Sequence, residues 1–196
     1  MKKINLVLLV AICLTNCAAF DKDLTNSNQL QKNNLATLNG QYHITEIGFE
    51  SVSKKYHSQL WTRTNFLREI DRKLLKDTLQ IDSMKQYSFA LKVIHKKKIK
   101  ITYFENGVIF RERFIKTKLK KDGYLYLKNK NIGFVLIPYV FGALDVKRTR
   151  LTLDQDENLV FDSYNHRSGA VFIVGFLNGR TWRNRRTYKK IDDFQQ

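Results

Sequence analysis

Asn106-Gly107 lies between two β-rich runs, Lys98-Ile-Lys-Ile-Thr-Tyr-Phe-Glu and Val108-Ile-Phe-Arg-Glu-Arg-Phe-Ile. A two-residue type I′ turn needs left-handed backbone at both central positions, which Asn and Gly tolerate best. The pair therefore commits about 18 residues to one antiparallel hairpin. An unbroken register sets Glu105 opposite Val108, Tyr103 opposite Phe110, Ile101 opposite Glu112 and Ile99 opposite Phe114. Those pairs share one face, while Lys98, Lys100, Thr102, Arg111 and Arg113 share the other. Glu112 is the misfit, because an unpaired carboxylate on an apolar face is costly. A bulge or a structural ion pair is the favoured remedy, ahead of a ligand-binding role.

The same punctuation recurs along the chain. Tyr87, Phe89, Leu91 and Val93 alternate with polar or small residues. Asp122-Gly123 leads into Tyr124–Lys128, and 154–158 reads as a turn after the strand Lys147–Leu153. Further strands are expected over Leu159–Tyr164, Ala170–Phe176 and Trp182–Ile191, with Ser163–Ser168 a polar turn before Gly169. The run Ile132–Ala143 is the greasiest of the domain, and Pro138 breaks it. It reads as a strand entering a buried loop, with a loop dipping into a bilayer as the other reading. Only over Ser58–Lys76 does the period change: Leu60, Leu67, Ile70 and Leu74 recur at helical spacing, with basic residues mostly elsewhere. The fold class expected is mostly β: a single antiparallel meander of about eight or nine strands closing into a barrel, with one amphipathic helix after the first strand.

Met1–Cys17 carries a different message. Two lysines, the apolar run Leu6–Leu14 and a polar end make the three parts of a secretory signal. The apolar run is shorter than the ~20 residues that span a bilayer. Cleavage leaves 33 basic residues against 18 acidic, since only Lys2 and Lys3 go with the signal. Such a balance seeks anionic partners, and export turns the choice from nucleic acid to envelope phosphates. Residues 18–36, poor in apolar residues, read as a flexible tether that would reach roughly 25 Å. The domain organisation expected is 1–16 signal, 17–36 lipidated Cys and tether, and 37–196 the β domain.

Leu14-Thr15-Asn16-Cys17 resembles the lipobox of bacterial lipoproteins, with Asn16 where Gly, Ala or Ser is usual. The resemblance implies that Cys17 becomes the first mature residue and carries diacylglycerol and a further acyl chain such as palmitate. Cleavage without a lipid and an uncleaved membrane anchor are the alternatives. Ala18 in place of Asp implies the outer membrane by resemblance to known sorting rules. Leu38-Asn39-Gly40-Gln41-Tyr42 in such a chain is similar to the opening of the lipocalin-like envelope lipoproteins. There a Gly-x-Trp starts the first strand, and an Arg near the last strand covers the Trp. Here Tyr42 replaces Trp, and Arg183, Arg185 or Arg186 supplies the cation. The helix after the first strand departs from that family, which carries its helix after the barrel.

No catalytic residue is expected. His43, His57, His95 and His166 are widely separated, and no Gly-x-Ser-x-Gly or phosphate-loop pattern occurs. No metal or cofactor is called for; Asp154, Asp156 and Glu157 read as a solvated turn. Two functions follow. The first is a non-enzymatic lipoprotein holding a lipidic or apolar ligand inside the barrel, at Tyr87, Phe89, Ile101, Tyr103, Phe110 and Glu112. The alternative is a solid-core interaction protein whose basic surface meets anionic envelope lipids, lipopolysaccharide or a protein. That surface would use Lys98, Lys100, Arg111, Arg113, Arg183, Arg185 and Arg186.

Overall fold

The computed structural model describes residues 20, 24, 26, 28–51, 65–70, 82, 84–129, 132–137, 141–171 and 175–191. The predicted signal segment, Cys17 and most of the predicted helix lie outside them. The strands are β1 (Gly40–His43), β2 (Gly48–Ser51), β3 (Tyr87–His95), β4 (Lys98–Glu105), β5 (Val108–Leu119), β6 (Leu125–Leu127), β7 (Ile132–Ile137), β8 (Phe141–Leu153), β9 (Leu159–Val171), β10 (Gly175–Tyr188) and β11 (Lys190–Ile191). One short helix, α1 (Phe66–Ile70), follows β2, and a 3₁₀ turn, Leu35–Leu38, precedes β1.

All eleven strands form one antiparallel sheet, ordered β11-β1-β3-β4-β5-β6-β8-β9-β10-β2, with β7 paired to β8. Most neighbours are consecutive in sequence, as tight turns dictate. The two ends of the order involve the same two stretches of chain. Gln41 and Tyr42 pair with Ile191 and Lys190, and Gly48–Ser51 pair with Thr187–Asn184. Between these ladders the His43 N–H donates to the Lys189 carbonyl (3.0 Å), and the Ile47 N–H to that of Thr187 (2.8 Å). Residues 44–46 leave the ladder to hold α1: the Phe66 N–H donates to the Ile44 carbonyl (3.0 Å), and Thr45 bridges Asn65. At the far end of α1, Asn129 Nδ2 donates to the Ile70 carbonyl (3.0 Å).

The core face of the sheet carries Tyr42, Phe89, Leu91, Ile99, Ile101, Tyr103, Leu151, Phe161 and Tyr188, all buried. Phe66, Leu67 and Ile70 of α1 are buried with them. The Phe66 ring lies parallel to Phe89 at 3.8 Å and edge-on to Tyr188 (5.1 Å) and Phe161 (5.7 Å). Each such aromatic contributes about 1.5–3 kcal/mol by leaving water.

Three expectations need correction. The Asn106-Gly107 turn forms as predicted, with φ 49° and 79°. The hairpin register, however, slips at Phe110, so that Tyr103 faces Arg111, Thr102 faces Glu112 and Ile99 faces Ile115. This bulge turns Glu112 outward to Lys100 (2.5 Å) and puts Ile115 into the core in place of Phe114. One extra residue thereby avoids a buried carboxylate. Ser163–Ser168 is no turn, because β9 runs through it with β8 on one side and β10 on the other. Finally, the described part of the expected tether is docked, with Leu30 and Leu35 buried and Asn28 bridging Leu153. A few well-placed leucines suffice where sheet groups accept the backbone.

Candidate functional site

Among the described residues, buried charges form two clusters, one on each face of the sheet. On the core face, Arg186 is 2% exposed. Its Nη1 donates to Glu46 Oε2 at 2.6 Å, and its Nε lies 3.5 Å from Glu69 Oε1. Lys147 Nζ reaches Glu69 Oε2 at 2.6 Å. Arg186 also lies over the Phe49 ring at 4.6 Å, while Tyr42 stacks on Phe89 (5.5 Å) and donates its hydroxyl to the Leu38 carbonyl (3.0 Å). Burial pushes the Glu46 carboxyl above its usual range, against the pull of Arg186. Burial, with Glu69 adding to it, holds Tyr188 firmly in its neutral form. Two carboxylates and two cations compensate one another here. The quartet ties α1, β8, β10 and the 44–46 excursion together, so it serves as an internal clamp.

On the outer face, Asp162 is 1% exposed and accepts from Arg150 Nε (2.8 Å), Arg185 Nε (2.8 Å) and Arg185 Nη2 (3.1 Å). The row is set by register: Lys118, Tyr126, Arg150, Asp162 and Arg185 face one another across five strands. The Arg150 guanidinium is sandwiched between Tyr124 (3.6 Å) and Phe20 (4.4 Å). The N-terminal segment then crosses the face. The Tyr124 hydroxyl donates to the Leu24 carbonyl (3.1 Å), and the Thr152 hydroxyl lies 2.8 Å from both Asn26 Oδ1 and the Asn28 carbonyl. Gly123, at φ +72°, passes so close to Gln29 that an added Cβ would sit 2.8 Å from its side chain. Two residues along each strand, the next outer row carries Lys116, Arg148, Tyr164 and Arg183. Lys128 joins it, its N–H donating to the Lys116 carbonyl at 2.7 Å.

The expected site residues divide between these regions. Phe89, Ile101 and Tyr103 are fully buried, while Tyr87 and Phe110 are half-buried at the rim of the core. The Tyr87 hydroxyl donates to Glu105 (2.9 Å), whose carboxyl is held below its usual range chiefly by hydrogen bonds from Lys85 and Tyr87. Glu112 belongs to the outside. Lys98 and Lys100 stay on the outer face of β4, over the exposed Phe114 ring at 4.5 and 5.9 Å. Arg111 and Arg113 come by the bulge onto the face of Tyr103 and Ile101. Arg185 and Arg186 are not open surface: one serves Asp162 and the other the internal clamp. Glu46, Glu69 and Lys147 were invisible to motif reasoning, although the alternation that buries Tyr188 also buries Arg186 two residues before it.

Of the histidines, His43 and His95 are exposed, His166 Nδ1 lies 2.9 Å from Thr181 Oγ1, and His57 is outside the described residues. Among the described residues no group of His, Cys, Asp and Glu is placed to hold a metal ion. No helix among them is long and apolar enough to cross a membrane. No protein-family model, curated protein or solved structure matches this chain.

Proposed function

We propose that this protein is a non-enzymatic envelope lipoprotein, anchored through acyl chains on Cys17, that acts through its outer surface on anionic envelope lipids. The sheet closes into a barrel, a reading supported by the pairing of residues 40–51 with 184–191 from both ends of the strand order. Helix α1 lies against the core face, with Phe66, Leu67 and Ile70 buried among the sheet's apolar residues.

The single observation behind the choice between a hollow and a filled interior is the Phe66 ring, stacked parallel on Phe89 at 3.8 Å. Phe89 is one of the residues expected to line an apolar ligand site, and the chain's own helix α1 occupies its face. That favours a packed core and moves function to the exterior, where lysines and arginines dominate. An outer-membrane address follows from the Cys17-Ala18 resemblance.

The test is native mass spectrometry of protein purified from its own host. The expected species carries covalent acyl chains and no stoichiometric non-covalent lipid; a retained lipid that leaves only on unfolding would overturn the filled-core reading. Metabolic fatty-acid labelling of the wild type and of Cys17→Ala tests the anchor, and label that persists in the variant contradicts it.

A further inference from the structure

The lipid anchor and the basic outer face are linked by the docked N-terminal segment. Phe20 packs edge-on to Tyr126 (5.5 Å) and Tyr164 (6.2 Å) while covering Arg150. Three peptide steps separate Phe20 from Cys17, and a fully extended chain spans at most ~3.6 Å per residue. Cys17 therefore stays within about 11 Å of Phe20, well inside the ~25 Å of a free tether. The leash is shortened by specific contacts rather than by composition. Asn26 Nδ2 donates to the Asp122 carbonyl (3.1 Å), the Leu30 N–H donates to that of Gly123 (3.0 Å), and Gly123 leaves room for nothing larger.

Resting on the Cys17 lipidation reading, we infer that the outer face of β5, β6, β8, β9 and β10 is the side the domain turns to the bilayer. There Lys116, Lys118, Lys128, Arg148 and Arg183 meet anionic phospholipid headgroups. Of these, all but the half-buried Arg183 are exposed. Carboxylates on this side include Asp162 and Asp122, 2.8 and 3.8 Å from Arg150, Glu112, 2.5 Å from Lys100, and Glu50, which stands opposite Arg185. An anchor held so near keeps the basic rows closer to the headgroups than a free tether would, and their attraction is screened by salt. A second copy is a poor occupant, since two such faces repel. Anchor and charge act together here: acyl chains supply the membrane affinity, and the basic rows fix which side faces down.

The mature chain has no thiol besides Cys17, so single labels can be introduced cleanly. Acylated Lys128→Cys and Lys92→Cys variants, each carrying a fluorescent donor, are reconstituted into vesicles containing phosphatidylglycerol and an acceptor on the lipid headgroup. Lys92 lies exposed on β3, outside the basic rows. The expected result is severalfold more efficient energy transfer from position 128 than from position 92. Adding Lys116→Glu and Arg148→Glu, both at exposed positions, should cut that difference by at least half. Equal transfer from both positions, or a difference untouched by the charge reversals, overturns the inference. The acyl mass is read on each sample first: an unacylated chain defeats the lipoprotein reading itself, whereas an acylated chain with equal transfer defeats only the orientation.

Discussion

Arg185 and Arg186 are neighbours in sequence and sit in opposite worlds. Strand alternation sends Arg186 to the core face, where it binds Glu46 and Glu69 among aromatic rings. Arg185 goes to the outer face, where it joins Arg150 on Asp162 beneath the docked N-terminal segment. Both are partnered, but they stabilise different things. The inner cluster fastens α1 into the sheet; the outer cluster holds the N-terminal segment at Phe20 and Leu24. Two faces of one strand thereby hold the helix on one side and the N-terminal segment on the other.

The sharpest way to break the comparison is at its inner half. Arg186→Leu leaves Glu46 and Glu69 buried with Lys147 alone, and should cost about 3–5 kcal/mol in urea unfolding. Asp162→Ala strands two guanidinium groups on the outer face. Because Arg185 retains some contact with water, the expected loss is smaller, about 2–3 kcal/mol. It should also make the chain around Phe20 a target of limited proteolysis, which Arg186→Leu at a temperature where the domain is folded should not.

Gly123→Ala tests the docking of the segment without touching a charge. A positive φ and a contact at 2.8 Å together predict a loss of about 1–2 kcal/mol, with earlier cleavage between residues 20 and 30. The smallest expected effect is a pH dependence. The folded-state value for Glu46 lies above that of the unfolded chain, so the folded state holds the proton more tightly. Stability should therefore fall as pH rises from the ordinary carboxylate value through the raised one. Glu46→Gln should flatten that part of the profile by less than about 1 kcal/mol, whereas Asp162→Ala should leave it in place.

Much of the fold was legible because turns and alternation are local. Asn106-Gly107 announced its hairpin, Asp122-Gly123 its turn, and Phe89 and Leu91 their burial. The Phe110 bulge was not, since alternation counts residues and an extra one has no signature of its own; the discomfort of Glu112 was its only trace. The polar run Ser163–Ser168 looked like a turn because composition ignores pairing on both sides. Arg183, Arg185 and Arg186 read as one surface patch because charge in a sequence carries no face. Nothing in Lys147, Glu69 or Glu46 alone could announce a quartet assembled from four separate stretches. The docking of Phe20, Leu24, Asn26 and Asn28–Leu30 escaped notice because its leucines are few and its partners lie far away in the sequence.

The central claim is that the interior is structural and the outer basic face meets the membrane. Hydrogen–deuterium exchange of the acylated protein, compared between detergent and phosphatidylglycerol-containing vesicles, tests it directly. Added protection on vesicles should concentrate in residues 20–30 and in the β5–β6, β8 and β10 segments around Lys118, Lys128, Arg148 and Arg183, leaving β3 unchanged. New protection centred on Tyr87 and Phe110 at the rim of the core, with none on the outer face, would contradict the account.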